Sequence, residues 1–163
     1  MTVSFGHVGI TVPDLDRAIG WYRDALGCAL IMGPVDVTVD DPRVAEQIRE
    51  VFAATDVAFR QAHMILADGS AVELFEFRRP CESEGRARFD YWEPGISHLC
   101  VVSPDIEALA ERVEQQGGRR RTAIREIFPD EPYRFCYCED PFGNIVELAT
   151  HPHGEAFGGR AAY

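Results

Sequence analysis

Gly6-His7-Val8-Gly9-Ile10-Thr11-Val12-Pro13-Asp14-Leu15-Asp16, near the start of the chain, returns as Ser97-His98-Leu99-Cys100-Val101-Val102-Ser103-Pro104-Asp105-Ile106-Glu107. His98 stands 91 positions after His7 (98 minus 7), and at the same spacing Pro104 answers Pro13, Asp105 answers Asp14, Ile106 answers Leu15 and Gly118 answers Gly27. A register that runs through strand, turn and helix without insertion marks a duplicated structural module. A second echo closes each half: Gly69-Ser70-Ala71-Val72-Glu73-Leu74 against Gly143-Asn144-Ile145-Val146-Glu147-Leu148, at a spacing of 74 (147 minus 73). The two spacings differ by 17 (91 minus 74), which places about seventeen extra residues in the first half, between 34 and 60.

Each half reads as strand, helix and three strands. Val8, Ile10 and Val12 form an apolar row with His7, Gly9 and Thr11 on the opposite side of a strand over 4–12. Asp14 is placed to cap a helix from about Leu15 to Leu26, with Ile19, Tyr22 and Leu26 at helical spacing and Gly27 as the stop. Cys28 to Met32 is the next expected strand. In the extra piece, Val44, Ile48, Val51 and Phe52 give a short helix an apolar stripe with which to shape a pocket. Val57 to Ala67 and Ala71 to Phe77 flank Asp68-Gly69 as a hairpin. The second half repeats the plan with strands over 96–103, 119–126, 133–139 and 144–150, a helix over 105–116 and a stop at Gly117-Gly118. The expected organisation is a first βαβββ module over 1–80 with a helical insertion near 40–55, a linker over 81–95, a second module over 96–150 and a mobile tail over 151–163.

The 163 residues, 46% hydrophobic and 26% charged, suffice for a substantial core. A net charge of −11 argues against nucleic-acid or anionic-membrane partners. The sequence has no apolar run of membrane-spanning length and no basic start followed by an apolar segment, so a cytoplasmic protein is expected. Five cysteines, an odd number, suit buried reduced thiols, and Cys136-x-Cys138 is only a weak metal signal.

Strand parity puts His7, Glu73, His98 and Glu147 on the side away from the aliphatic rows. Singly, each is an ordinary structural histidine or a solvated glutamate. Duplication changes that reading, because two-fold pairing of the modules brings the His/Glu pairs together around one axis. Two imidazoles and two carboxylates suit a divalent transition metal with water completing its coordination.

At this point the chain resembles the vicinal oxygen chelate superfamily, which includes glyoxalase I, methylmalonyl-CoA epimerase, extradiol dioxygenases and bleomycin-resistance proteins. The resemblance rests on the duplicated plan, the opening His7-Val8-Gly9-Ile10-Thr11-Val12-Pro13-Asp14-Leu15-Asp16-Arg17-Ala18, Val72-Glu73-Leu74-Phe75-Glu76-Phe77, His98, and Glu139-Asp140-Pro141-Phe142-Gly143-Asn144-Ile145-Val146-Glu147-Leu148. It implies an α+β fold in which two tandem βαβββ modules form an open, cleft-lining β-sheet with helices packed outside. It also implies that His7, Glu73, His98 and Glu147 ligate one divalent transition metal (nickel, cobalt, zinc, manganese or iron), that the substrate is a small molecule and that the protein is a homodimer.

The chemistry expected is proton transfer at the carbon beside a metal-chelated carbonyl, with Glu73 and Glu147 as the catalytic carboxylates. Substrates in keeping with it are a hydroxy-ketone, a cyclitol ketone or an acyl-CoA thioester. A glyoxalase I-type lactoylglutathione lyase is the first alternative. An extradiol-type dioxygenase is another, but the histidine its signature places before Tyr137 is missing from residues 128–136. A ligand-sequestering resistance protein is a third, non-enzymatic alternative. His63, Tyr133 and Tyr137 are the candidate substrate-binding residues, and His151 and His153 read as solvated tail histidines.

Overall fold

The computed structural model describes residues 3–79 and 94–159, so Cys81, Tyr91, Trp92 and most of the expected 81–95 linker lie outside the described residues. The chain divides into two compact units, Met1–Gly85 and Arg86–Tyr163. Each is an α+β layer pair with its own open sheet.

The first unit runs β1 (His7–Thr11), α1 (Leu15–Leu26), β2 (Ala29–Thr38), α2 (Ala45–Phe52), β3 (Ala58–Ile65) and β4 (Ala71–Arg79). Its strands lie in the order β1-β4-β3-β2, with β1 parallel to β4 and the other pairs antiparallel. Ile10, Ala62, Met64, Val72 and Leu74 are buried on one face. α1 packs on that sheet through Leu15, Ala18, Trp21, Tyr22, Ala25 and Leu26. Each large side chain removed from water in this layer contributes about 1.5–3 kcal/mol. The helix starts and stops as its sequence dictates: Asp14 Oδ1 accepts from the Arg17 amide at 3.0 Å, and Gly27 takes the left-handed conformation (φ 76°). Arg60 on β3 then fastens α1 to the sheet, reaching Asp16 at 2.9 Å and Glu76 at 3.1 Å, while Glu76 also accepts from the Leu15 amide at 3.1 Å.

The second unit runs β5 (Leu99–Val102), α3 (Ile106–Gln115), β6 (Arg119–Arg120), β7 (Arg125–Glu126), β8 (Arg134–Glu139), β9 (Ile145–Ala149) and α4 (His153–Phe157). Its sheet has the order β5-β9-β8-β6, with β7 also paired to β8. Asp105 caps α3 through the Ala108 amide at 2.9 Å, as Asp14 caps α1. Arg134 fastens α3 through Glu107, the counterpart of Arg60 with Asp16. The hairpin turns match as well. Leu66 N–H donates to Ser70 O and Gly69 N–H to Leu66 O, and in the second unit Asp140 N–H donates to Asn144 O and Gly143 N–H to Asp140 O. The two glycines have φ values of 90° and 89°.

Several sequence expectations change. β2 does not stop at Met32 but continues to Thr38, so the strand absorbs the first part of the extra segment. In α2 the buried positions are Ala45 and Ile48, while Val51 is 66% exposed and drops out of the expected stripe. The expected strand over 119–126 is two short strands, because residues 121–124 leave the ladder: Arg121 and Thr122 both donate their amides to Tyr137 O, and Thr122 Oγ1 accepts from the Tyr137 amide. Gly118 does not play the part of Gly27. Gly117 supplies the left-handed residue (φ 86°), whereas Gly118 lies where a Cβ would come within 2.6 Å of Glu139 O. The start of the expected mobile tail is α4, held by buried Ala156 and by Phe157 packing edge-on to Phe128 at 5.5 Å.

Candidate functional site

In the first unit the sheet face away from α1 carries the ligand-type residues. Parallel pairing sets Gly9 opposite Glu73, and antiparallel pairing sets His63 opposite the same glutamate. His7 Nε2 lies 3.4 Å from Glu73 Oε2, and His63 Nε2 lies 3.4 Å from Glu73 Oε1. The Gln61 amide is 3.4 Å from His63 Nε2. Glu73 is thus flanked by an imidazole at each oxygen, with its side chain 19% exposed.

Phe75 and Phe77 follow on the same face, and with Phe52, Phe59, Val39, Ile48 and Val57 they build a second, smaller core. Phe52, at the end of α2, lies edge-on to Phe59, Phe75 and Phe77 at 5.2, 6.1 and 5.3 Å. The helix expected to shape a pocket therefore raises an aromatic wall beginning two residues from Glu73.

The second unit repeats the register. The residue two after the histidine, Cys100, pairs with Glu147 as Gly9 pairs with Glu73, and Tyr137 takes the cross-strand position that His63 holds. His98, immediately before β5, sets Nε2 3.0 Å from Glu147 Oε2 and Nδ1 2.9 Å from Ser97 Oγ. The Glu147 side chain is again 19% exposed. The Tyr137 ring stands edge-on to His98 at 5.4 Å. Although Cys100 has exposed surface, desolvation by its neighbours, followed by the charge and hydrogen bond of Glu147, pushes its thiol up to about 12.

Tyr133 is not gathered with Tyr137. It precedes β8, and its ring meets His151 at 4.9 Å, while His151 Nδ1 lies 2.8 Å from Thr150 Oγ1. His153 stacks on Phe157 at 4.4 Å. Cys136 and Cys138 point together into the core and are fully buried. A groove of about 410 Å³ beside Asp36, Thr38, Asp40, Arg78 and Arg79 is apart from Glu73, and its arginines pair with Asp36, Asp40 and Asp56 at 2.7–3.0 Å.

The donor chemistry suits a divalent transition metal, since each pair offers an imidazole nitrogen beside a carboxylate oxygen on a face free of the long helix. Among the described residues, no three or more His, Cys, Asp or Glu side chains form a metal-holding group within either unit. Each unit thus presents its histidine and glutamate as a pair. The close contacts of Glu73 with His63 and of His98 with Tyr137 were only partly legible, because parity names the face but not which cross-strand neighbour meets which residue.

Comparison with known proteins adds to this geometry. The family model described as Glyoxalase/Bleomycin resistance protein/Dioxygenase superfamily matches residues 4–148. The chain is 30% identical over 158 residues to a 2-epi-5-epi-valiolone epimerase from Actinomyces sp., covering 95% of this chain and 83% of that protein. It is 26% identical over 144 residues to an ethylmalonyl-CoA/methylmalonyl-CoA epimerase from Cereibacter sphaeroides, covering 87% and 93%. A crystal structure of a glyoxalase family protein from Bacillus cereus superposes with a TM-score of 0.77 at 22% identity, covering 92% of this chain and 95% of that one. Among the described residues no helix is long and apolar enough to cross a membrane.

Proposed function

The chain belongs to the Glyoxalase/Bleomycin resistance protein/Dioxygenase superfamily, and on that premise we propose that it is a divalent-metal-dependent epimerase of small polyhydroxylated cyclic ketones. The observation that carries the proposal is the repeated register: in both units a histidine and a glutamate meet at 3.0–3.4 Å on the sheet face away from the long helix. His7, Glu73, His98 and Glu147 are the proposed ligands. When bound, a divalent ion supplies Lewis acidity, offsetting charge that develops on a carbonyl oxygen as the adjacent C–H bond breaks.

The chain's own groups do the rest. One carboxylate, Glu73 or Glu147, takes the proton from one face of the carbon beside the carbonyl, and the other, in its protonated form, returns a proton to the opposite face. Ser97 holds the His98 ring through Nδ1, which leaves Nε2 directed at Glu147. Tyr137 flanks Glu147 as a substrate contact and His63 lies directly across from Glu73, whereas Tyr133 stands at the His151 end of β8.

Similarity to the valiolone epimerase supports a cyclitol ketone as the substrate class. An acyl-CoA thioester fits less well. Of the arginines that would meet its phosphates, Arg119 and Arg121 pair with Glu139, Arg120 with Glu114 and Arg134 with Glu107. Leu30, Ile31, Met32 and Val35, exposed on edge strand β2, support self-association as a homodimer, which light scattering at twice 18.2 kDa would register. The deciding experiment is incubation with a polyhydroxylated cyclic ketone in deuterium oxide. Deuterium should enter the carbon next to the carbonyl, and chelation should stop its entry. If no candidate ketone or thioester exchanges with any divalent metal supplied, the epimerase reading fails.

A further inference from the structure

We infer that His63 is a positioning residue for Glu73, holding the outer oxygen of that carboxylate so that the other oxygen alone is presented to a metal. The inference rests on the metal-dependent reading above. The duplicated faces differ in chemistry at the residue across from each glutamate, His63 in the first unit and Tyr137 in the second. Around each glutamate the repeat supplies a histidine on or just before the parallel strand and one residue directly across the antiparallel strand, where Cβ atoms are about 4.5–5.5 Å apart. In the second unit that cross-strand residue is Tyr137, whose ring turns to His98. In the first it is His63, whose Nε2 is 3.4 Å from Glu73 Oε1, the oxygen that His7 does not face.

A carboxylate has two chemically equal oxygens, and one free to swing presents either or both to a cation. A donor on one oxygen removes that freedom. The carboxylate only accepts, so the useful tautomer of His63 carries its hydrogen on Nε2. The Gln61 amide, 3.4 Å from that nitrogen, then turns its oxygen to the ring. At 3.4 Å the His63 nitrogen stands just beyond hydrogen-bond length from Glu73 Oε1, so the positioning contact needs only a small shift of the carboxylate toward the ring. Within the described residues of the second unit, Glu147 meets the His98 imidazole at Oε2 and hydrogen-bonds Cys100, its neighbour on the parallel strand. Partners of this outer kind change metal affinity or activity about 10–100-fold when removed.

The test uses cobalt(II) added to chelator-treated full-length protein. His63→Ala is expected to bind cobalt(II) about 10–100-fold more weakly, to shift the visible cobalt band and to lower kcat with KM held. His63→Gln, which restores an N–H donor, should recover most of the affinity and the band. Unchanged cobalt affinity and spectrum in His63→Ala overturn the inference. So does a rise in KM with kcat and cobalt binding intact, which would make His63 a direct substrate contact. His7→Ala separates the positioning role of His63 from metal binding itself. If it loses cobalt while His63→Ala does not, only the positioning role falls, and if neither loses cobalt the metal-dependent reading falls with it.

Discussion

Replacing Asp140 should unfold the second unit far more readily than its distance from either histidine suggests. Asp140 is 3% exposed and sits in the turn that delivers β9 and Glu147. Its Oδ1 accepts from the Phe142 and Asn144 amides, each at 2.9 Å, and its Oδ2 accepts from Asn144 Nδ2 at 2.7 Å. Hydrogen bonds to a charged group are worth about 1.5–3 kcal/mol each and do not add fully, and the half-buried donors regain some water. Asp140→Ala should therefore cost about 3–5 kcal/mol. That is a large share of the roughly 5–15 kcal/mol that holds a domain folded. Asp140→Asn keeps one acceptor oxygen in place and should cost about half as much. Urea unfolding followed by far-ultraviolet circular dichroism measures both, with equal m-values as the control. A loss under about 1 kcal/mol in Asp140→Ala, or an Asn variant as unstable as the Ala one, would refute the assignment of this carboxylate to the turn.

Gly118→Ala should destabilise by about 1–3 kcal/mol, since the added methyl would lie 2.6 Å from Glu139 O and 2.8 Å from Val113 Cγ1; thermal unfolding reads it, and a neutral result would contradict the packing described. His7→Ala and Glu147→Ala should each lose metal on equilibrium dialysis while their circular dichroism stays native. Glu73→Gln should retain measurable metal but lose solvent deuterium exchange if Glu73 carries the proton, and full exchange in that variant would assign the task to Glu147. The guanidinium of Arg43, hydrogen-bonded to Asp41, holds that carboxyl down to about 2. A depressed folded-state value means that the stabilisation is complete above the ordinary carboxylate range and is lost as pH falls through about 2. Arg43→Ala should flatten the acid limb slightly, the pair being exposed, and an unaltered limb in a pH titration of stability would discount the contact.

Much of the fold was legible because the chain repeats itself. The caps at Asp14 and Asp105, the left-handed stop at Gly27 and the hairpin at Asp68-Gly69 each follow from one residue's local chemistry. Parity placed His7, Glu73 and Glu147 on the side away from the aliphatics because a strand allows only two directions. What stayed hidden depends on neighbours distant in sequence. Nothing local announces that Thr122 interrupts the ladder by bonding Tyr137, that Gly118 is needed for close approach to Glu139, or that Phe157 finds Phe128 and so gives the chain after β9 a helix. The flanking of Glu73 by His63 was hidden for the same reason, since a one-residue change in the β3–β4 pairing would have put another side chain there.

The helix α2, carried by the first unit without a counterpart among the described residues of the second, leaves this architecture a replaceable part. It stands between β2 and β3, outside the segments that fix the His–Glu register, and Phe52 on it touches Phe75 two residues along from Glu73. Exchanging that connection for a shorter or differently packed loop would re-cut the boundary beside Glu73 while leaving the His–Glu pairs where they are. The wall beside Glu73 can thus be redrawn by editing a connector, without touching the strands that set the His–Glu register.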